Sequence, residues 1–161
     1  MQIVQLPAGR KAVKSKWVFT LKMDKNGNIK RFKARFVACG YSQVEGIDYT
    51  DTYAPVVGII TLRMVLSIAA AYGWNLTQLD VETAFLNAAV EEEIYVKQPD
   101  GFHVGSPDMV LKLKKALYGL KQAPYNWNKL LTDSLLSLGL KRSTRDPCLF
   151  ACKSDTWNLV L

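Results

Sequence analysis

Two runs of alternating residues meet at Asn26-Gly27, and this limits the fold more than any other feature of the chain. From Lys16 to Met23, Trp17, Phe19, Leu21 and Met23 face one way while Val18, Thr20 and Lys22 face the other, the period of a half-buried strand. Asp24-Lys25-Asn26-Gly27-Asn28 follows. Asn-Gly between alternating runs marks a tight hairpin, because the turn needs positive φ. The return strand is Ile29 to Ala38. Its Phe32, Ala34 and Phe36 share one face, and Arg31, Lys33 and Arg35 share the other, with Lys30 leading in. Cations at every second residue stand roughly 7 Å apart, close to the spacing of successive phosphates. Aligned cations without an acidic neighbour repel one another. We therefore read the ladder as a nucleic-acid contact, with Lys30 and Arg31 on the strand, ahead of the alternative of a solvated sheet face.

A second stretch, Gln78 to Asn87, carries the candidate chemistry. Asn75, Leu76 and Leu79 lead into Asp80 as a short apolar run that predicts a buried strand ending at Asp80. A carboxylate there needs a compensating cation, backbone N–H groups or a metal ion. Magnesium suits it, since that ion takes hard oxygen ligands and often only one or two carboxylates. Phe85 lies close enough to wall the same pocket. The plainer alternative is that Asp80 caps the following turn.

Charge is segregated along the chain. Residues 1–40 hold ten Lys/Arg and one acid, residues 41–110 two and ten, and residues 111–161 nine and three. Basic flanks around an acidic middle suit a polyanion held on both sides of a metal-binding centre. At 161 residues, with 49% hydrophobic and 22% charged, the chain is one domain or a large part of one. No run approaches the ~20 apolar residues of a membrane span. The basic N-terminus lacks a signal-peptide core, which predicts an intracellular protein. Cys39, Cys148 and Cys152 form no CxxC pair and are expected as small core residues, and a lone His103 argues against histidine triads and zinc sites.

The remaining elements follow from periodicity. Residues 1–15 read as a loop or a torn strand end, and Gly40 to Gly58 as a crossing loop. Ile59 to Tyr72 is predicted as a largely buried helix, broken only by Arg63 and ended by Gly73. Glu91-Glu92-Glu93 reads as a solvated turn before the short strand Ile94-Tyr95-Val96. Pro99 to Pro107 is a loop and Met109 to Leu113 a strand. Ala116 to Pro124 forms a shaped loop into a helix over Tyr125 to Leu138, with Trp127, Leu130, Leu131, Ser134, Leu135 and Leu138 inward and Gly139 as its stop. Asp146-Pro147 turns the chain. Two strands, Cys148 to Cys152 and Trp157 to Leu161, hinge at Lys153-Ser154-Asp155. The fold class is α+β, an antiparallel sheet with packed helices.

Seven motifs in order resemble the reverse transcriptase of copia-type LTR retrotransposons. They are Lys16-Trp17-Val18-Phe19, Lys33-Ala34-Arg35-Phe36-Val37-Ala38, Gly46-Ile47-Asp48-Tyr49, Tyr53-Ala54-Pro55-Val56-Val57, Leu79 through Asn87, Leu117-Tyr118-Gly119-Leu120-Lys121-Gln122-Ala123-Pro124, and Asp146-Pro147-Cys148-Leu149-Phe150. The resemblance implies an RNA-directed DNA polymerase with right-hand fingers and a partial palm, the thumb absent. Residues 14–58 would be a fingers-like hairpin and loop, and 59–161 a helix plus partial palm. It implies in-line attack of a primer 3′-hydroxyl on a deoxynucleoside triphosphate with two magnesium ions. Asp80 would be catalytic and bind both ions, with the Val81 carbonyl holding one. Phe85 would reject a ribose 2′-hydroxyl, Gln122 would steady the nucleotide, and Lys33 and Arg35 would contact the triphosphate.

The implied partners are an RNA or DNA primer–template, deoxynucleotides and the rest of a Pol polyprotein. Cytoplasm and nucleus are the implied locations, with no membrane. The family's Tyr-Val-Asp-Asp motif is expected just beyond Leu161, so one Asp alone is not expected to polymerise. Tyr125 and Gly58 stand where the family commonly has Arg, and Ala88 where it has Gly. The alternative is a catalytically dead retroelement remnant that binds nucleic acid or a protein partner.

Overall fold

A computed structural model describes residues 1–153 and 158–160. Its elements are β1 (Gln2–Gln5), β2 (Ser15–Met23), β3 (Ile29–Ala38), α1 (Ile59–Ala71), α2 (Ala84–Asn87), β4 (Tyr95–Lys97), β5 (Met109–Lys112), α3 (Ala123–Ser137), β6 (Lys141–Arg142), β7 (Phe150–Lys153) and β8 (Asn158–Val160). All named strand pairs are antiparallel, so the α+β class holds. Two units emerge: residues 1–52 with 83–126, and residues 53–82 with 127–161.

The hairpin of the first unit forms as its turn chemistry demands. Asp24 Oδ1 accepts from the N–H groups of Asn26 (2.8 Å) and Asn28 (3.0 Å), and Gly27 takes φ +85°. Trp17 pairs Phe36, Phe19 pairs Ala34 and Leu21 pairs Phe32. Lys22 pairs Arg31 but Met23 pairs Ile29, so Lys30 is the extra residue of a bulge. Burial differs from the expected half-buried strand. At the root, Trp17 packs its ring 5.7 Å from Phe36 and 5.6 Å from Phe102. Towards the tip, Phe19 is 74% and Phe32 75% exposed. No layer covers that end among the described residues.

A second sheet, ordered β1-β5-β4, builds the core of this unit. Residues 2–5 are a paired strand, Gln2 opposite Lys112 and Gln5 opposite Met109, where the sequence suggested a loop or torn end. Alternation is weak there, and the pairing comes from a partner distant in sequence. Ala12, Tyr95 and Val110 form a buried cluster with Val4 and Leu6 packed against it.

In the second unit, α1 ends in a Schellman cap. Gly73 has φ +64°, and the Trp74 N–H donates to the Ala69 carbonyl at 2.8 Å. Gly139, with φ +86°, closes α3 in the same way, the Leu140 N–H reaching Leu135 O at 3.1 Å. The sheet is ordered β6-β7-β8. Two expectations fail here. Only Ala69 of α1 is buried, since a helix apolar on all sides needs cover all round and the described residues cover one side. Residues 75–80 form no strand and are exposed, because no neighbouring strand satisfies their backbone groups. Along α3 Leu130 and Ser134 are exposed, as is Leu138 just past its end, while Trp127, Leu131 and Leu135 are half-buried. Cys39 is buried but Cys148 and Cys152 are half-exposed. The expected hinge at Ser154-Asp155, together with Trp157 and Leu161, lies outside the described residues.

Candidate nucleic-acid interface and catalytic segment

The hairpin register assembles a larger cationic face than the ladder alone. Val18 pairs Arg35, Thr20 pairs Lys33, Lys22 pairs Arg31 and Lys16 pairs Val37. Strand alternation then places Lys16, Lys22, Arg31, Lys33 and Arg35 on one face, with no acid among them. Lys22 and Arg31 are directly opposed like charges, an unfavourable pair that an apposed polyanion would relieve. Lys33 and Arg35 are half-buried, Arg31 is exposed, and Lys30 is exposed at the bulge.

Gln122 lies in a buried amide network. It is 0% exposed, and its Oε1 accepts from Gln43 Nε2 at 3.0 Å. Its Nε2 donates to the Asp48 carbonyl at 2.6 Å. Gln43 Oε1 accepts from the Lys121 N–H at 2.8 Å, so the Gln43 to Asp48 loop and the Lys121-Gln122 loop are fastened together. Asp48 tightens its own loop by accepting from the Val44 N–H at 2.7 Å. Lys121 Nζ donates to Tyr49 Oη at 2.8 Å, and lies 4.5 Å from that ring's centroid. Gly119 docks this segment on β3: its φ is +89°, and a Cβ there would meet the Ala38 carbonyl oxygen at 2.0 Å. Only glycine permits that approach. Nearby, the half-buried Phe85 sets its ring 5.0 Å from Tyr118. Thr83, just before α2, takes φ +50°. A β-branched residue in that region is strained, and such strain clusters at functional segments.

Asp80 and Val81 lie in an irregular, exposed segment of the second unit. Among the described residues no three His, Cys, Asp or Glu side chains gather to hold a metal ion. Asp80 is the carboxylate this segment offers at the position expected from sequence. Ala88, at the end of α2, has φ −74°, an ordinary extended conformation for alanine.

Two groups take roles that the sequence did not assign them. Glu93, expected in a solvated turn, is a charge hub. It pairs with Lys112 and, at 2.8 Å, with Arg10, and accepts from Tyr95 Oη at 2.8 Å. These contacts, led by the Lys112 hydrogen bond, hold its carboxyl at about 2. No local signal marks it, since its partners Arg10 and Lys112 lie far away along the chain. In the second unit, the buried Asp146 caps the start of α1. It accepts from the Gly58 N–H at 3.0 Å and from the Cys148 N–H at 2.9 Å. Its carboxyl is held below the ordinary range, first by Thr61 and then by these amides.

The chain is 42% identical over 161 residues to the Retrovirus-related Pol polyprotein from transposon TNT 1-94 of Nicotiana tabacum, covering 99% of this chain and 12% of that protein. It is 43% identical over 149 residues to that from transposon RE1 of Arabidopsis thaliana (90% and 10%). It is 34% identical over 147 residues to the Transposon Ty1-ER2 Gag-Pol polyprotein of Saccharomyces cerevisiae (88% and 8%). The chain thus spans about a tenth of the length of these curated relatives. No solved structure gives a significant match. Among the described residues no helix is long and apolar enough to cross a membrane. Residues 1–161 match the reverse transcriptase (RNA-dependent DNA polymerase) family throughout, and the chain belongs to that family.

Proposed function

We propose that this chain is part of an RNA-directed DNA polymerase that joins a deoxynucleoside triphosphate to a primer 3′-hydroxyl, releasing pyrophosphate. The observation that carries the reading is the cationic hairpin face, five Lys/Arg side chains brought to one side by the β2–β3 register. Lys30 and Arg31 would contact the nucleic-acid strand, and Lys33 and Arg35 the triphosphate. Phe85, backed by Tyr118, would form the wall that excludes a ribose 2′-hydroxyl. Gln122 would act by holding the nucleotide-facing loop in shape. Residues 14–58 would correspond to fingers and 59–161 to part of a palm. Divalent metal, when bound, supplies positive charge against the attacking and leaving oxygens. Asp80 and the Val81 carbonyl would be this chain's ligands, and further carboxylates would come from elsewhere in a polyprotein of which this is a fragment.

The test is magnesium-dependent primer extension by a longer polyprotein segment that contains this chain. Activity that disappears with Asp80→Ala is expected; extension surviving that substitution would overturn the assignment. A second reading, nucleic-acid binding without catalysis, is favoured by the exposed, irregular setting of Asp80. It predicts that the chain alone binds primer–template in a salt-sensitive manner, weakened by Lys33→Ala with Arg35→Ala, and never extends it.

A further inference from the structure

The β2–β3 hairpin has a second face, on the side away from its cations. The register sets Phe19 beside Ala34, Leu21 beside Phe32 and Met23 beside Ile29 there, and none of these residues is charged. Phe19 is 74%, Phe32 75%, Met23 60%, Ile29 52% and Leu21 50% exposed. Single apolar residues on a surface are ordinary, whereas a contiguous apolar sheet face marks a contact. The face is also shaped. Ala34 is small and exposed between two aromatic rings, and a depression of about 360 Å³ is lined by Phe19, Leu21, Phe32 and Ala34 with Thr20 and Lys33. Trp17 stacks behind Phe19, ring centroids 6.2 Å apart, so the wall of the depression is held upright. Knob and hole thus lie side by side on β3, Phe32 two residues from Ala34.

We propose that this face binds the same face of a second copy of the chain, making a two-fold dimer through a four-stranded sandwich. A two-stranded hairpin is marginal in water until another layer covers its apolar side, and sheets stack face to face about 10 Å apart. Self-complementarity selects a second copy, because an isologous contact requires each patch to fit itself. With the two-fold axis running across the strands at Lys33, the two hairpins lie antiparallel. Phe32 of each copy then sits over Ala34 of the other, and Phe19 over Leu21. Met23 and Ile29 at each tip reach the other copy's Trp17 and Phe36, so the aromatic root is covered as well. The exposed side chains present roughly 500 Å² of apolar surface per copy, so pairing removes about 1,000 Å² in all, the floor for a specific interface. The cations turn outward on both sides of the sandwich, and salt screens their repulsion. Pairing therefore leaves the cationic face open and does not rest on the function proposed above.

Sedimentation velocity of the chain from about 1 to 200 μM tests it, a range set by the micromolar affinities of small interfaces. A monomer–dimer equilibrium is expected that holds or strengthens as salt rises, whereas nucleic-acid binding weakens. Phe32→Ser should weaken the dimer by at least about tenfold, since it removes the central anchor. Its circular dichroism should match the parent's, because that ring is already mostly in water. Ala34→Leu fills the hole and should weaken pairing several-fold, although it makes the surface more apolar. Adding Phe32→Ala to Ala34→Leu exchanges knob and hole and should recover part of that loss. A monomer at every concentration overturns the proposal. So does association that Phe32→Ser leaves unchanged, that Ala34→Leu strengthens, or that Ile60→Ser on α1 abolishes while Phe32→Ser does not. Lys33→Ala with Arg35→Ala separates the two readings: intact duplex binding there sinks the cationic-face reading and leaves the dimer standing.

Discussion

The two units use similar residues to different ends. Of eighteen buried apolar residues among those described, fifteen lie in the first unit, and only Ala69, Leu140 and Phe150 in the second. The second unit does not lack apolar side chains: α1 alone reads Ile-Ile-Thr-Leu-Arg-Met-Val-Leu-Ser-Ile. What differs is a second layer. In the first unit β1, β5 and β4 pair into a sheet that packs Ala12, Tyr95 and Val110 together, and the Gly119 loop seats on β3. In the second, Ile60 is 80% and Leu79 82% exposed. Hydrophobicity becomes a core only where another element presents a matching face.

The contrast is sharpest at Ile94, which is fully buried. Ile94→Ala should cost about 2–5 kcal/mol in urea denaturation; a loss under about 1 kcal/mol would mean the first unit is not packed as described. Gln122→Leu comes next. It leaves the Gln43 amide and the Asp48 carbonyl only their own long 3.5 Å hydrogen bond, a penalty of roughly 1–3 kcal/mol. Hydrogen exchange should quicken locally over Val44 to Tyr49, and protection equal to that of the parent chain would refute the strut.

Acid titration probes each unit separately. Glu93 and Asp146 have folded pKa values below their ordinary ones, so each stabilises above its unfolded pKa and loses that contribution as pH falls. For Glu93 the window runs from about 4.5 down to about 2. For Asp146 it lies below about 3.8. Amide NMR should show Glu93→Gln flattening the acid response around Tyr95 and Lys112 alone, and Asp146→Asn that around Gly58 and Cys148 alone. A single transition shared by both variants would break the division. Lys22→Glu replaces an opposed like-charge pair, so it should raise stability by roughly 0.2–1 kcal/mol while weakening primer–template binding. A gain in both, or a loss in both, contradicts the cationic face. The smallest effect is Ile60→Ala, expected within about 0.5 kcal/mol; a loss comparable to Ile94→Ala would show that α1 is covered.

Local features were legible wherever the chain's own neighbours decide them. The Asp24-Asn28 turn, the span of β3 and the ends of α1 and α3 at Gly73 and Gly139 all follow from turn residues and period. So does the shared face of Arg31, Lys33 and Arg35. The strand at residues 2–5 was not legible, because its partner β5 lies over a hundred residues away. The acidic triplet hid Glu93 because composition cannot show that Arg10 and Lys112 converge on it. The run before Asp80 carries the pattern of a buried strand, yet no described strand pairs with it, and backbone groups without partners remain in water.

The sequence by itself determined the family, through seven ordered motifs, together with the hairpin, the two longer helices and the positions of the cations along their strand. Those depend on covalent connectivity and local dihedral preference, which act over a few residues. Tertiary structure decided which apolar residues are buried and that Gln122 ends as a sealed strut. It also set Lys22 against Arg31. Each of these joins groups far apart along the chain, and only packing and long-range pairing fix such distances.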